Sequence, residues 1–192
     1  MKTVFFDIDS QRDFLYPAGA LYVPGAERIV SAIARLNRFA AAHGIPVVST
    51  TDAHQENDPE FALWPPHCIA GTWGQHKAEA TLLDGRIVIP NRDCALALEG
   101  APQIIIEKQT VDVFAAPNLG RVVARLDADR YVVYGVVTEI CVLYAVRGLL
   151  KTGKPVTVVT DAVETLNAED SARALEEVRA AGGTLARVAE IC

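Results

Sequence analysis

One cysteine of this 192-residue chain stands where sulfur becomes a nucleophile. In Gly135-Val136-Val137-Thr138-Glu139-Ile140-Cys141 a β-rich run passes directly into a helical stretch. Thr138 is the expected N-cap, which puts Cys141 in the first helical turn. Exposed backbone N–H groups and the helix dipole favour a thiolate there, and the same N–H groups suit an oxyanion. A thiol nucleophile needs a base, and Asp9, which follows the apolar run Lys2–Ile8, is a carboxylate suited to take its proton. Lys108 closes another apolar run, a costly place for an ammonium unless it is paired. Set between Asp9 and Cys141, it would hold the carboxylate and favour the thiolate.

A second group has the composition of a metal site. Asp52-Ala53-His54 is followed, thirteen residues after His54, by His67 in Trp64-Pro65-Pro66-His67-Cys68. One carboxylate and two imidazoles on a stiff, Pro-rich loop suit zinc, iron or manganese and leave positions open for water or substrate. Glu60 is a candidate fourth ligand; Cys68 is left out, because sequence neighbours rarely both reach one ion. The cofactor expected is one divalent metal ion.

Singly, each residue has a plainer explanation: a small cysteine packing a helix, a lysine snorkelling from a strand end, a loop carboxylate, two surface histidines. The elements that carry them argue otherwise. Strand-like runs at Lys2–Ile8, Ile45–Thr50, Arg86–Ile89, Gln103–Ile106, Tyr131–Val136 and Val156–Thr160, with Thr184–Ile191 as a candidate last strand, alternate with helical stretches. Those stretches run from Ala26 to His43 and over Leu119–Leu126, Glu139–Lys151 and Ala168–Ala181, the last capped by Asn167. Near-continuous Val/Ile strands alternating with helices predict an α/β fold: a three-layer α/β/α arrangement around a mainly parallel sheet of about six strands, in one domain spanning residues 1–192. Such sheets bind ligands outside the carboxyl ends of their strands. Asp9, Asp52, His54, Lys108 and Cys141 all fall at that edge. The long segment from Thr51 to Gly85, with little periodicity, is expected to be functional.

Charge narrows the partners. Eighteen Lys+Arg against twenty-four Asp+Glu give a net charge of −6, and no basic stripe is visible, so nucleic acid is not expected. No apolar run approaches the ~20 residues of a membrane span, and Asp7 comes too early for a signal peptide, so the expected setting is cytoplasmic with no membrane partner. Four cysteines without a CxxC pair are read as free thiols. The partner expected is a small molecule, and a homo-oligomer is compatible with the sequence. Asp7-Ile8-Asp9 also fits an aspartyl-phosphate phosphatase, but that reading leaves Cys141 and His54 idle.

Taken together, Asp9-Ser10-Gln11-Arg12-Asp13-Phe14, Asp52-Ala53-His54, WPPHC, Gly71-Thr72-Trp73-Gly74, Glu107-Lys108 and GVVTEIC resemble the isochorismatase-like cysteine hydrolases, and among them the nicotinamidase (pyrazinamidase) type, along essentially the whole chain. The resemblance implies a catalytic triad of Asp9, Lys108 and Cys141. It also implies metal ligands at Asp52, His54, His67 and Glu60, and oxyanion donors at the N–H groups of Val137 and Cys141 after a cis peptide between Val136 and Val137. Phe14 and Trp64 match the aromatic walls of a pyridine pocket, and Asp13 a structural position. The implied activity is hydrolysis of a small amide, nicotinamide above all. The segment after the lysine, Gln109 to Phe114, departs from the Gly- and Tyr-bearing loop of the family and leaves a different amide or ureido substrate as the alternative. A non-catalytic metal-binding protein on this fold is the remoter one.

Overall fold

Short Val, Ile and Phe runs broken by Gly, Pro and Asp make strands too apolar to face water on either side. A computed structural model describes residues 1–192. Its strands are β1 (Thr3–Ile8), β2 (Val47–Asp52), β3 (Ile87–Ile89), β4 (Gln103–Lys108), β5 (Arg130–Gly135), β6 (Val156–Val163) and β7 (Thr184–Ala186). They form one sheet in the order β3-β4-β2-β1-β5-β6-β7, every neighbouring pair parallel. The sheet thus has seven strands, one more than the approximate count expected, because the candidate last strand forms and pairs with β6 as the edge strand β7.

Six helices cover the sheet: α1 (Arg12–Leu15), α2 (Val30–Ala42), α3 (Leu119–Leu126), α4 (Leu143–Leu150), α5 (Ala168–Ala180) and α6 (Val188–Ile191). Alternation along β1 separates two cores. Val4, Phe6 and Ile8 pack with Leu119 and Val122 of α3, Val146 and Leu149 of α4, and Ala174 and Val178 of α5. Phe5 packs on the other face with Ile33, Leu36 and Ala40 of α2 and with Val188 of α6. The expected three layers are present. No helix is long and apolar enough to cross a membrane, and all four cysteines are free.

Several boundaries move. The helical stretch from Ala26 divides into a 3-10 turn, Ala26–Ile29, and α2. The proposed last strand ends at Ala186 and gives way to α6, and β6 continues past Thr160 to Val163. Asn167 caps α5, accepting from the N–H groups of Glu169 and Asp170.

Strand register brings two pairs of residues together at the carboxyl edge. Pairing of β2 with β4 sets Asp52 beside Lys108, and pairing of β1 with β5 sets Ile8 beside Gly135. Gly135 has φ +119°, and a Cβ there would come within 2.0 Å of the Ile8 carbonyl oxygen. Glycine alone lets β5 approach β1 this closely before the chain turns toward Cys141.

Candidate active site

β1 is the middle strand of seven, so Asp9 emerges at the centre of the sheet's carboxyl edge. Its backbone bends there into the left-handed region, with φ +47°. Thr50, on β2, accepts from the Asp9 N–H at 3.1 Å and donates its hydroxyl to Asp9 Oδ1 at 2.6 Å. Lys108, the last residue of β4, brings Nζ within 2.9 Å of Asp9 Oδ2 and 3.8 Å of Cys141 Sγ. The three groups expected to meet do so, with the ammonium between acid and thiol. Lys108 also lies 2.5 Å from Asp52 Oδ1, a partner that the sequence pattern assigns to the metal alone. Burial works against the ammonium, but Asp52 and Asp9 outweigh it and hold the Lys108 pKa well above that of a free lysine.

The turn carrying Cys141 is wider than the α-helical turn expected. Residues Thr138–Val142 form a π-turn whose cap is Val137, not Thr138. The Thr138 hydroxyl instead donates to the carbonyl of Glu164 at 2.8 Å. The Val137 carbonyl accepts from Ile140 and Val142 and skips the N–H of Cys141, and the N–H of Val137 finds no backbone acceptor. The peptide between Val136 and Val137 is cis. The thiol itself departs from the expected acidity: burial pushes it well above the usual range, Lys108 pulls it back, and the carboxylates of Asp9 and Asp52 raise it further.

Beside this trio lies the metal-type cluster. Asp52, His54 and His67 bring their ligand atoms together, and His54 does the same with Asp58 and Glu60. His54 Nε2 lies 4.0 Å from Asp52 Oδ1 and 3.6 Å from Glu60 Oε2; His67 Nε2 lies 3.9 Å from Asp52 Oδ2. His67 Nδ1 sits 2.8 Å from the Pro65 carbonyl; a carbonyl only accepts, so Nδ1 carries the proton and Nε2 offers its lone pair. Burial lowers the His67 pKa, which keeps the ring neutral and ligand-ready. His54 Nε2 and Glu60 Oε2 are buried without a hydrogen-bond partner. This donor set fits one divalent cation: Asp52, His54 and His67 form one close group, and Glu60 approaches it through His54.

Asp9, Asp52, Glu60, His67 and Cys141 open on a cleft of about 420 Å³, counting its mouth, whose walls include Phe14, Trp64, Val111, Val137 and Ile140. Its apolar walls suit a small ring-bearing molecule. Cys141, 8% exposed, looks into it. Cys68 is wholly buried and burial raises its thiol pKa far beyond the useful range. Asp13 is structural, as expected: it accepts from the N–H groups of Ala20 and Cys68. Asp7, the other half of the phosphatase-like pair, is buried in an ion pair with Lys77, away from the cleft.

Three contributors are missed by reasoning from sequence. Thr50 and Gln11 carry no chemical signal, being neutral residues of a strand and a loop. Asp58 does carry one. It caps the 3-10 turn Pro59–Ala62, accepting from the Glu60 N–H, and its Oδ2 stands 3.0 Å from His54 Nδ1. Asp-Pro four residues after a ligand histidine is a capping signature that places a carboxylate behind the ring.

The parallel α/β sheet with its reactive groups at the carboxyl edge is the architecture of the isochorismatase family, and the chain belongs to it: residues 3–190 match the isochorismatase domain. Among its relatives, the nicotinamidase of Escherichia coli strain K12 is 29% identical over 212 residues, covering 95% of this chain and 93% of that one. The crystal structure of a pyrazinamidase/nicotinamidase from Streptococcus mutans UA159 superposes with a TM-score of 0.82 at 27% identity, covering 96% of this chain and 100% of that one. A pyrazinamidase of Pyrococcus horikoshii in complex with zinc superposes with a TM-score of 0.81 at 29% identity, covering 97% and 99%.

Proposed function

We propose that the chain is a metal-dependent cysteine amidohydrolase that converts nicotinamide and water to nicotinate and ammonia. The observation that carries this reading is Lys108, an ammonium within 2.9 Å of Asp9 and 3.8 Å of Cys141, two residues that line an apolar-walled cleft. Such a bridge stabilises a thiolate whose proton has passed to Asp9.

Asp9 takes the proton from Sγ as sulfur attacks the carboxamide carbon. The tetrahedral oxyanion falls between the N–H groups of Val137 and Cys141; losing one such donor costs about 3 kcal/mol of transition-state stabilisation. Asp9 returns the proton to the departing nitrogen and ammonia leaves. A water then gives its proton to Asp9 and attacks the thioester, and Asp9 passes that proton to the leaving sulfur, which releases the acid and restores the free thiol. Phe14 and Trp64 hold the ring throughout. Asp52, His54, Glu60 and His67 would hold one divalent ion of zinc, iron or manganese, which when bound supplies a Lewis acid that orients and polarises the substrate.

The test is ammonia release from nicotinamide by the wild type and by Cys141→Ala, each with and without a chelator. Turnover is expected only in the metal-replete wild type, with metal content equal in the two proteins. Wild-type turnover by Cys141→Ala would remove sulfur from the mechanism. A second reading, another small uncharged amide, is favoured by Val111, which brings an apolar side chain into the cleft from the atypical loop after Lys108. A panel of aromatic and aliphatic amides separates the two.

A further inference from the structure

A second buried lysine has no part in this chemistry. Lys77 is 3% exposed. Its Nζ lies 3.1 Å from Asp7 Oδ2 and donates to Ser10 Oγ at 2.7 Å. Asp7 Oδ2 also accepts from Asn37 Nδ2 at 3.0 Å and Ser49 Oγ at 3.2 Å, and Ser10 Oγ donates onward to Thr81 Oγ1 at 3.3 Å. Both charges of the pair are out of water. Buried pairs of this kind add little net stability over apolar side chains of like volume, so stability is a poor reason for it.

Its address is a better one. Asp7 lies two residues before Asp9 and Ser10 one residue after it, so a single ammonium grips the chain on both sides of the acid. Between those grips Asp9 is held at φ +47°, a conformation that a non-glycine residue keeps only when its surroundings enforce it. The Gln11 N–H reaches back to the Asp9 carbonyl at 2.6 Å. The backbone around Lys77 completes the clamp: Ala78 N–H donates to the Ser10 carbonyl at 2.9 Å, and Arg12 N–H donates to that of His76 at 2.9 Å.

We propose that Lys77 is a positioning residue for Asp9, fixing the bend that turns the carboxylate toward Lys108 and Cys141. It touches no reacting atom. The inference rests on the acid–base role proposed for Asp9, so Asp9→Asn is measured in parallel.

Lys77→Met keeps the hydrocarbon stem and removes the ammonium. Because it leaves Asp7 buried and unpaired, Asp7→Asn/Lys77→Met is measured beside it; that protein is neutral at both positions and keeps an acceptor toward Asn37 and Ser49. The readouts are kcat and KM for nicotinamide and the rate at which iodoacetamide alkylates Cys141, located by mass spectrometry. In the double variant kcat is expected to fall about 100-fold, the loss that a ~1 Å misplacement brings, with KM unchanged and alkylation slowed. Asp9→Asn is expected to slow alkylation as well. A folded double variant with wild-type kcat and alkylation rate overturns the proposal. Wild-type alkylation of Asp9→Asn removes the acid–base role, and the proposal with it.

Discussion

Gln11 holds Asp52 by its backbone. Gln11 Oε1 accepts from the Asp52 N–H at 2.7 Å, and Gln11 Nε2 donates to the Asp52 carbonyl at 2.8 Å. The side-chain amide behaves as one more residue of strand pairing at the point where β2 ends. The same Nε2 also reaches the Gln75 carbonyl at 2.8 Å. The Asp52 backbone is thereby fixed where its carboxylate meets Lys108 at one oxygen and lies toward the His67 imidazole at the other.

Gln11→Glu replaces a donor that serves two carbonyls with an acceptor that repels both. A buried group left unsatisfied costs about 1–3 kcal/mol, and loss of an outer-shell partner weakens metal binding by about 10–100-fold. Urea unfolding and competition against a chelator of known affinity measure the two effects. An unchanged metal affinity in the folded variant would show that Asp52 is oriented by something else.

Asp58 gives a cleaner separation. Asp58→Ala removes both the cap on the Pro59–Ala62 turn and the carboxylate 3.0 Å from His54 Nδ1. Metal affinity is expected to drop by about 10–100-fold, while the alkylation rate of Cys141 in the metal-free protein stays at the wild-type value. A parallel loss of thiol reactivity would mean that the two halves of the site are less independent than their geometry indicates.

Metal addition should stabilise the fold. Asp52, His54 and His67 are all under 5% exposed, and ligand atoms crowded together without a cation are a local cost that binding relieves. At a free ion concentration 100-fold above Kd, stabilisation of about 2.7 kcal/mol is expected. Thermal unfolding in zinc, iron(II) and manganese, against chelator-treated protein, ranks the ions. A melting temperature indifferent to all three counts against a resident metal.

Gly135→Ala tests the junction of β1 and β5. The added methyl would sit 2.0 Å from the Ile8 carbonyl oxygen, at φ +119°. Backbone clash and a forbidden dihedral together place the variant among the exceptional substitutions that cost more than about 4 kcal/mol. Loss of soluble protein, or a urea midpoint far below the wild type, is the expected outcome; a near-normal midpoint would show that β5 shifts freely against its neighbour.

Much of the site is legible in the amino-acid sequence. Its strand-end residues stand out because a parallel α/β pattern has a chemical edge and a blunt one, and Asp9, Asp52, Lys108 and Cys141 all fall on the first. What stays hidden depends on strand order. That Lys108 serves Asp52 as well as Asp9 follows from β2 lying between β4 and β1, and spacing along the chain does not encode that adjacency. Thr138 has the right residue type for a cap, but the turn is capped one residue earlier at Val137, and the Thr138 hydroxyl donates to the carbonyl of Glu164, 26 residues on. The acidity expected of Cys141 comes from its own helix; burial beside two carboxylates, a tertiary effect, reverses it.

The reactive groups come from β1, β2, β4 and the turn after β5, spread between Asp9 and Cys141. No fragment and no half-docked folding intermediate holds a working subset of them. On the mechanism proposed above, hydrolysis is thus an all-or-nothing report on assembly of the central sheet. A nascent or damaged copy stays chemically silent, with its sulfur unarmed, until the last of these strands has docked.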